Sequence, residues 1–154
     1  RYAPAMPVNG RTVQQGGRAK AYRPLAAPRR REALAAFLAA YDRGDAFLAH
    51  ELLEPAWMGT ADAAERDLYQ GLIKLAAAEV HAVRGNPLGE LKNLRGARLR
   101  LASATGAAGE AAGLDLPALL RLVDRRLAWL AGQTAPARAD DGPRIALPRR
   151  SSAV

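Results

Sequence analysis

The chain contains no cysteine. That excludes disulfide bridges, thiolate metal ligands and a cysteine nucleophile, and it fits a cytoplasmic, reducing setting. Aromatic residues make up only 5% of the 154 positions, and Val and Ile are sparse, so the residue types that favour strands are poorly represented. No uninterrupted apolar run approaches the ~18 residues that would argue for a membrane span, so none is expected. Nucleophile and phosphate-loop motifs are missing as well. Single glycines and Gly85-Asn86 do not make a phosphate-binding loop, and Ser103, Ser151 and Ser152 lack any GxSxG or triad context.

Acidic residues are missing from one end, and this decides how the net charge of +8 is read. Residues 1 to 31 hold eight Arg or Lys and no acid, whereas residues 32 to 132 hold eleven basic and thirteen acidic side chains, a net −2. Residues 133 to 154 carry four Arg against Asp140 and Asp141. The positive charge therefore belongs to the tails. A groove-reading nucleic-acid domain keeps its basic patch on the fold, so no specific nucleic acid is expected as a partner. The basic tails could touch anionic surfaces nonspecifically.

Alanine and leucine supply most of the apolar content, and they recur at three- and four-residue spacing, which predicts an all-α chain. Pro4, Pro7, Gly10, Gly16, Gly17, Pro24 and Pro28 punctuate the start, so residues 1–29 read as a flexible basic extension. Pro136, Gly142, Pro143 and Pro148 do the same for a flexible tail over 133–154. Between them, 30–132 reads as one compact bundle of about five helices. The first helix covers about Arg30 to Arg43. The second is capped by Asp45, runs to about Trp57 and carries Pro55 as an irregularity. A third is opened by the capping-box spacing Asp62-Ala63-Ala64-Glu65 and runs to Arg84. A fourth covers Leu88 to Ala104, and a fifth runs from an Asp115 cap to near Gly132. Connections this short make neighbouring helices antiparallel.

Two polar stripes stand out when the second and third helices are projected at 100° per residue. The second places Phe47, His50, Glu51, Glu54 and Met58 on one arc with Trp57 at its edge. The third aligns Asp67, Gln70, Gly71, Lys74, Ala77, Ala78 and His81. Each helix has a leucine side to bury elsewhere, so the expectation is that the two stripes face one another as a sheltered polar patch.

The run Gly44-Asp45-Ala46-Phe47-Leu48-Ala49-His50-Glu51-Leu52-Leu53-Glu54, followed by Trp57, Arg66-Asp67, Gln70-Gly71-Leu72-Ile73, Ala76-Ala77, His81 and Arg84-Gly85-Asn86, resembles the helical family known as domain of unknown function 309. At the level of helix order the resemblance spans about Leu34 to Leu130, with its distinctive residues confined to Gly44 through Asn86. It implies an all-α bundle and a polar signature of His50, Glu51, Glu54, Trp57, Arg66, Asp67, Gln70, His81 and Asn86. It implies no activity.

Several chemistries could use such a patch, to which Lys74 also contributes. A buried hydrogen-bond and ion-pair network, with Glu51 and Glu54 met by Lys74, Arg66 or a histidine, would fix the pairing of the two helices; a small-ligand site is its functional counterpart. A divalent metal could be held by His50, Glu54 and His81, although His50-Glu51-Leu52-Leu53-Glu54 lacks the second histidine of a zincin and Lys74 would repel a cation. A metal-free enzyme could pair His50 or His81 as base with Glu51 or Glu54 as orienting carboxylate, beside Trp57. A different class is an interaction module: the turns at Gly44-Asp45 and Gly85-Asn86 are faintly like those of tetratricopeptide hairpins, although three such repeats are normally needed. A homodimer through an exposed apolar helix face is the candidate assembly.

Overall fold

The computed structural model describes residues 12–15, 18–104, 113–133 and 141–151. Five helices occupy most of them: α1 (Ala27–Asp42), α2 (Ala46–Met58), α3 (Ala63–Val83), α4 (Pro87–Ser103) and α5 (Leu116–Ala131). Each packs on the next in sequence, so the chain is the expected all-α bundle. Among the described residues no helix is long and apolar enough to cross a membrane.

The helix ends follow from local chemistry. Asp45, Asp62, Asn86 and Asp115 each accept a hydrogen bond from the backbone N–H three residues on, which satisfies one of the donors every helix start leaves over. Asn86, read from sequence as a turn residue, is thus also a cap. The α1–α2 and α3–α4 turns are built alike. Gly44 (φ 89°) and Gly85 (φ 71°) take the left-handed conformation, and the amides of Gly44 and Asp45, like those of Gly85 and Asn86, return to the last turn of the helix just ended. These are Schellman motifs, and the residue after each glycine at once caps the next helix. Glu65 departs from the capping box. Its carboxylate is held by Arg30 (Nε to Oε2 2.6 Å), by the Thr60 hydroxyl and by the Tyr69 hydroxyl, tying α1 to α3.

Two segments outside the expected bundle boundary make specific contacts. Thr12–Gln15 (β1) and Arg18–Ala21 (β2) pair as antiparallel strands, with Thr12 opposite Ala21, within the basic extension. From there the chain runs along the α2–α3 turn, where Arg23 and Leu25 donate backbone hydrogen bonds to the carbonyls of Met58 and Gly59. A Cβ on Gly59 would lie 2.5 Å from that of Leu25, so glycine permits the contact. α1 also starts at Ala27, three residues early, because Pro28 fits a first helical turn, where no N–H is needed.

At the other end, residues 141–151 pack onto the bundle, although their Pro, Gly and Arg content reads as a flexible tail. The hydrophobic reason is local: Leu147 is buried and Ile145 partly so. The core itself centres on α3, which buries Leu68, Tyr69, Leu72, Ile73 and Leu75 among others, with Phe37, Leu53, Trp57, Leu94, Leu101 and Leu119 around it.

Candidate functional site

The residues expected to form one patch divide between two surfaces. α3 turns its polar stripe toward α4, not toward α2. Asp67 accepts a hydrogen bond from Arg100 at 3.2 Å. The Lys74 stem lies over Gly96, where a Cβ would come within 2.8 Å of it. Burial, reinforced by the charges of Arg100 and Lys92, pushes the Lys74 pKa down. The Asn86 amide donates to His81 Nδ1 at 3.1 Å while its Oδ1 accepts from Gly89, and a Cβ at Gly89 would lie 2.5 Å from that ring nitrogen. Gly71 meets Leu101 with equally little room. Glycines on both partners bring α3 and α4 close, and α4 supplies the complementary polar groups.

α2 is buried chiefly through apolar residues. It buries Ala49, Leu53, Ala56 and Trp57 and leaves its polar arc at the surface. His50 is half-buried and lies 3.3 Å from Glu51, whose side chain is 57% exposed. Glu54 is partly buried. Trp57 is fully buried despite Pro55 within its helix. Arg66 is enclosed and donates to the Ala61 carbonyl, and Gln70 is 1% exposed with its Oε1 accepting no hydrogen bond. The metal expectation is therefore corrected: among the described residues no three His, Asp or Glu side chains form a group able to hold an ion, and His50, Glu54 and His81 do not converge. The facing-stripes expectation is corrected with it.

The structure assembles a different site around residues 141–151. Glu90 of α4 and Arg126 of α5 form a buried two-point ion pair (Nε to Oε2 2.7 Å, Nη2 to Oε1 3.3 Å), 5% and 3% exposed. The remaining guanidinium nitrogen, Nη1, donates to the backbone carbonyls of Asp141 and Pro143, and the guanidinium sits 4.6 Å over the Trp129 ring. Tyr41 of α1 donates its hydroxyl to the carbonyl of Ile145 at 2.9 Å; burial and the nearby Glu79 push its pKa up. Farther along, the backbone amide of Asp115 donates to the Pro148 carbonyl and that of Arg150 to the Gly113 carbonyl, closing a short antiparallel bridge between Leu114 and Arg149. Side chains complete the grip: Arg144 pairs with Glu79 of α3, and Arg149 with Asp42 of α1. Two of the arginines that made the tail look like a contact for anionic surfaces are thus engaged within the molecule. Gly142 takes φ 75° and lies flat on Trp129, where a Cβ would be 2.4 Å from the ring.

In chemical terms this is a groove that holds an extended backbone. Three carbonyls are read by the side chains of Tyr41 and Arg126, Ile145 and Leu147 point to apolar surface, and acids at two points match arginines. Sequence reading missed it because Glu90 and Arg126 lie 36 positions apart with no shared periodicity. The available signal was the alternation of apolar and other residues in Arg144-Ile145-Ala146-Leu147, a period of two within a segment otherwise read as punctuation.

Fold and site together define a helical bundle carrying an extended segment in a surface groove. The family model described as a domain of unknown function (DUF309) matches residues 34–93, from α1 into α4. That bears out the resemblance carried by the Gly44 to Asn86 signature, and it ends short of α5, Arg126 and the docked segment. A search of the curated proteins and of the solved structures finds no match to the chain.

Proposed function

We propose that the protein is a helical interaction module that binds an extended polypeptide segment, and that the signature residues of α2 and α3 chiefly stabilise the bundle. The observation that carries this reading is the aim of Arg126. Its charge is held by Glu90, and its free edge points at main-chain carbonyls of residues 141 and 143. A charged group buried with its partner and used to bind backbone suits recognition of a peptide by its main chain, with side-chain pockets adding selectivity. The stabilising role is supported by Asp67 and His81 of the signature, and Lys74 beside them, which are engaged with α4. The absence of cysteine accords with work in the reducing cytoplasm.

The test is binding in trans. Leu147→Asp in the full chain weakens docking of the resident segment, with circular dichroism confirming that the helices persist. A fluorescein-labelled peptide of residues 141–151 should then bind this variant saturably and lose affinity at least tenfold when Arg126→Met is added. No saturable binding to a folded Leu147→Asp chain would overturn the proposal.

A further inference from the structure

Beside the docked segment is a cleft of about 240 Å³, lined by Tyr41, Asp42, Gly44, Ala46, Glu79 and, from the segment itself, Arg144, Ile145 and Ala146. Its position in the register matters. Ile145 and Leu147 are turned inward, so the residue between them is turned outward along the groove, and that residue is alanine, 146, which is exposed. The opposite wall is open for a related reason: a Cβ at Gly44 would meet nothing within 4 Å. The groove therefore has room at the register position of Ala146 for a side chain much larger than the methyl group there, and Tyr41, Ala46 and Ile145 give it apolar surface.

We infer that this cleft is a side-chain pocket for a large apolar, preferably aromatic, residue of a partner protein's extended segment, and that residues 141–151 are a weak resident which such a segment displaces. The inference rests on the reading of the groove as a peptide receptor. Charge complementarity fixes the rest of the partner's pattern. Glu79 and Asp42 flank the register positions of Arg144 and Arg149, so the segment that fits best reads arginine, apolar, large aromatic, apolar, proline, arginine. The resident can afford to bind weakly because only the seven residues 134–140 separate it from the end of the described α5 region at Gln133. A short tether holds a ligand at an effective concentration of order mM. A free segment must therefore exceed the resident in intrinsic affinity, and filling the pocket is the means the geometry offers.

The experiment uses the full chain and two unlabelled peptides of residues 141–151, one native and one carrying Ala146→Trp, with displacement followed by the amide signal of the chain's own Arg150, which leaves Gly113 when the resident leaves the groove. An indole in place of a methyl group should lower the concentration needed for half-displacement at least about tenfold. In parallel, Ala146→Trp within the chain should raise hydrogen-exchange protection of the Asp115 amide by a similar factor. If the native peptide binds and the tryptophan peptide binds no better, and the chain variant gains no protection, the pocket is refuted while the groove stands. If neither peptide binds even the Leu147→Asp chain, the groove reading fails and the pocket with it.

Discussion

Replacing Arg126 with methionine separates two contributions that the structure superimposes. The methionine keeps much of the stem's volume but removes the guanidinium, leaving the Glu90 carboxylate, itself 5% exposed, without its ion-pair partner. Breaking a buried pair from one side costs about 3–5 kcal/mol, because the surviving charge stays desolvated. The two hydrogen bonds to the carbonyls of Asp141 and Pro143 add about 1 kcal/mol each at most, since freed carbonyls near the surface can turn to water. A total near 4 kcal/mol is a large part of the roughly 5–15 kcal/mol that holds a domain together, and it corresponds to a fall in Tm of about 10 °C. The double variant Glu90→Met, Arg126→Met removes the orphaned charge and should recover all but about 1–2 kcal/mol, the part owed to the docked segment. Urea denaturation of the two variants measures both quantities. A loss under about 1 kcal/mol for Arg126→Met, or a double variant less stable than the single one, would refute this account of the ion pair.

Three further outcomes follow from the helix contacts. Gly71→Ala should destabilise by roughly 1–2 kcal/mol in urea melts: the gain in helix propensity is outweighed by a Cβ placed 2.7 Å from Leu101. A stabilised variant would show that α3 and α4 are not closely packed. Lys74, whose folded pKa is lowered, loses its proton in the native state before it does in the unfolded chain; the unfolded state binds more protons in that window, so its contribution to stability rises with pH up to the unfolded value of 10.5. Stability measured against pH for wild type minus Lys74→Met should therefore slope upward in the alkaline range, and a flat difference would contradict the burial of the ammonium. His50→Ala should change stability by no more than about 0.5 kcal/mol, because the ring's contact is with an exposed glutamate; a loss above about 2 kcal/mol would mean His50 holds the bundle together.

The helices were legible in the sequence because each start and stop is written locally: Asp45, Asp62 and Asp115 cap, and Gly44 and Gly85 terminate. The signature residues were legible as a set, but not their neighbours. Helical projection shows that Asp67, Lys74 and His81 share a face; it cannot tell which helix that face meets. The deciding features were on α4, where Gly89 and Gly96, seven residues apart, leave room for His81 and Lys74. A glycine pair at that spacing, read together with Gly71, would have pointed to α4. The strand pair at 12–15 and 18–21 and the docked segment at 141–151 were hidden by composition. Proline and glycine rule out a helix, yet an extended chain needs none, and two inward side chains with a few backbone hydrogen bonds suffice to hold one.

Amide hydrogen exchange at two residues tests the central claim most directly. The Asp115 amide donates to the Pro148 carbonyl and the Arg150 amide to that of Gly113, so both depend on residues 141–151 lying in the groove. In the wild-type chain both should exchange at least about a hundredfold more slowly than in an open chain. In Gly142→Ala, where the new methyl group meets Trp129 and the backbone must hold a positive φ, both should revert toward open-chain rates while the amides of α3 keep their protection. Open-chain exchange of Asp115 and Arg150 in the wild type, beside protected helices, would contradict the groove and everything inferred from it.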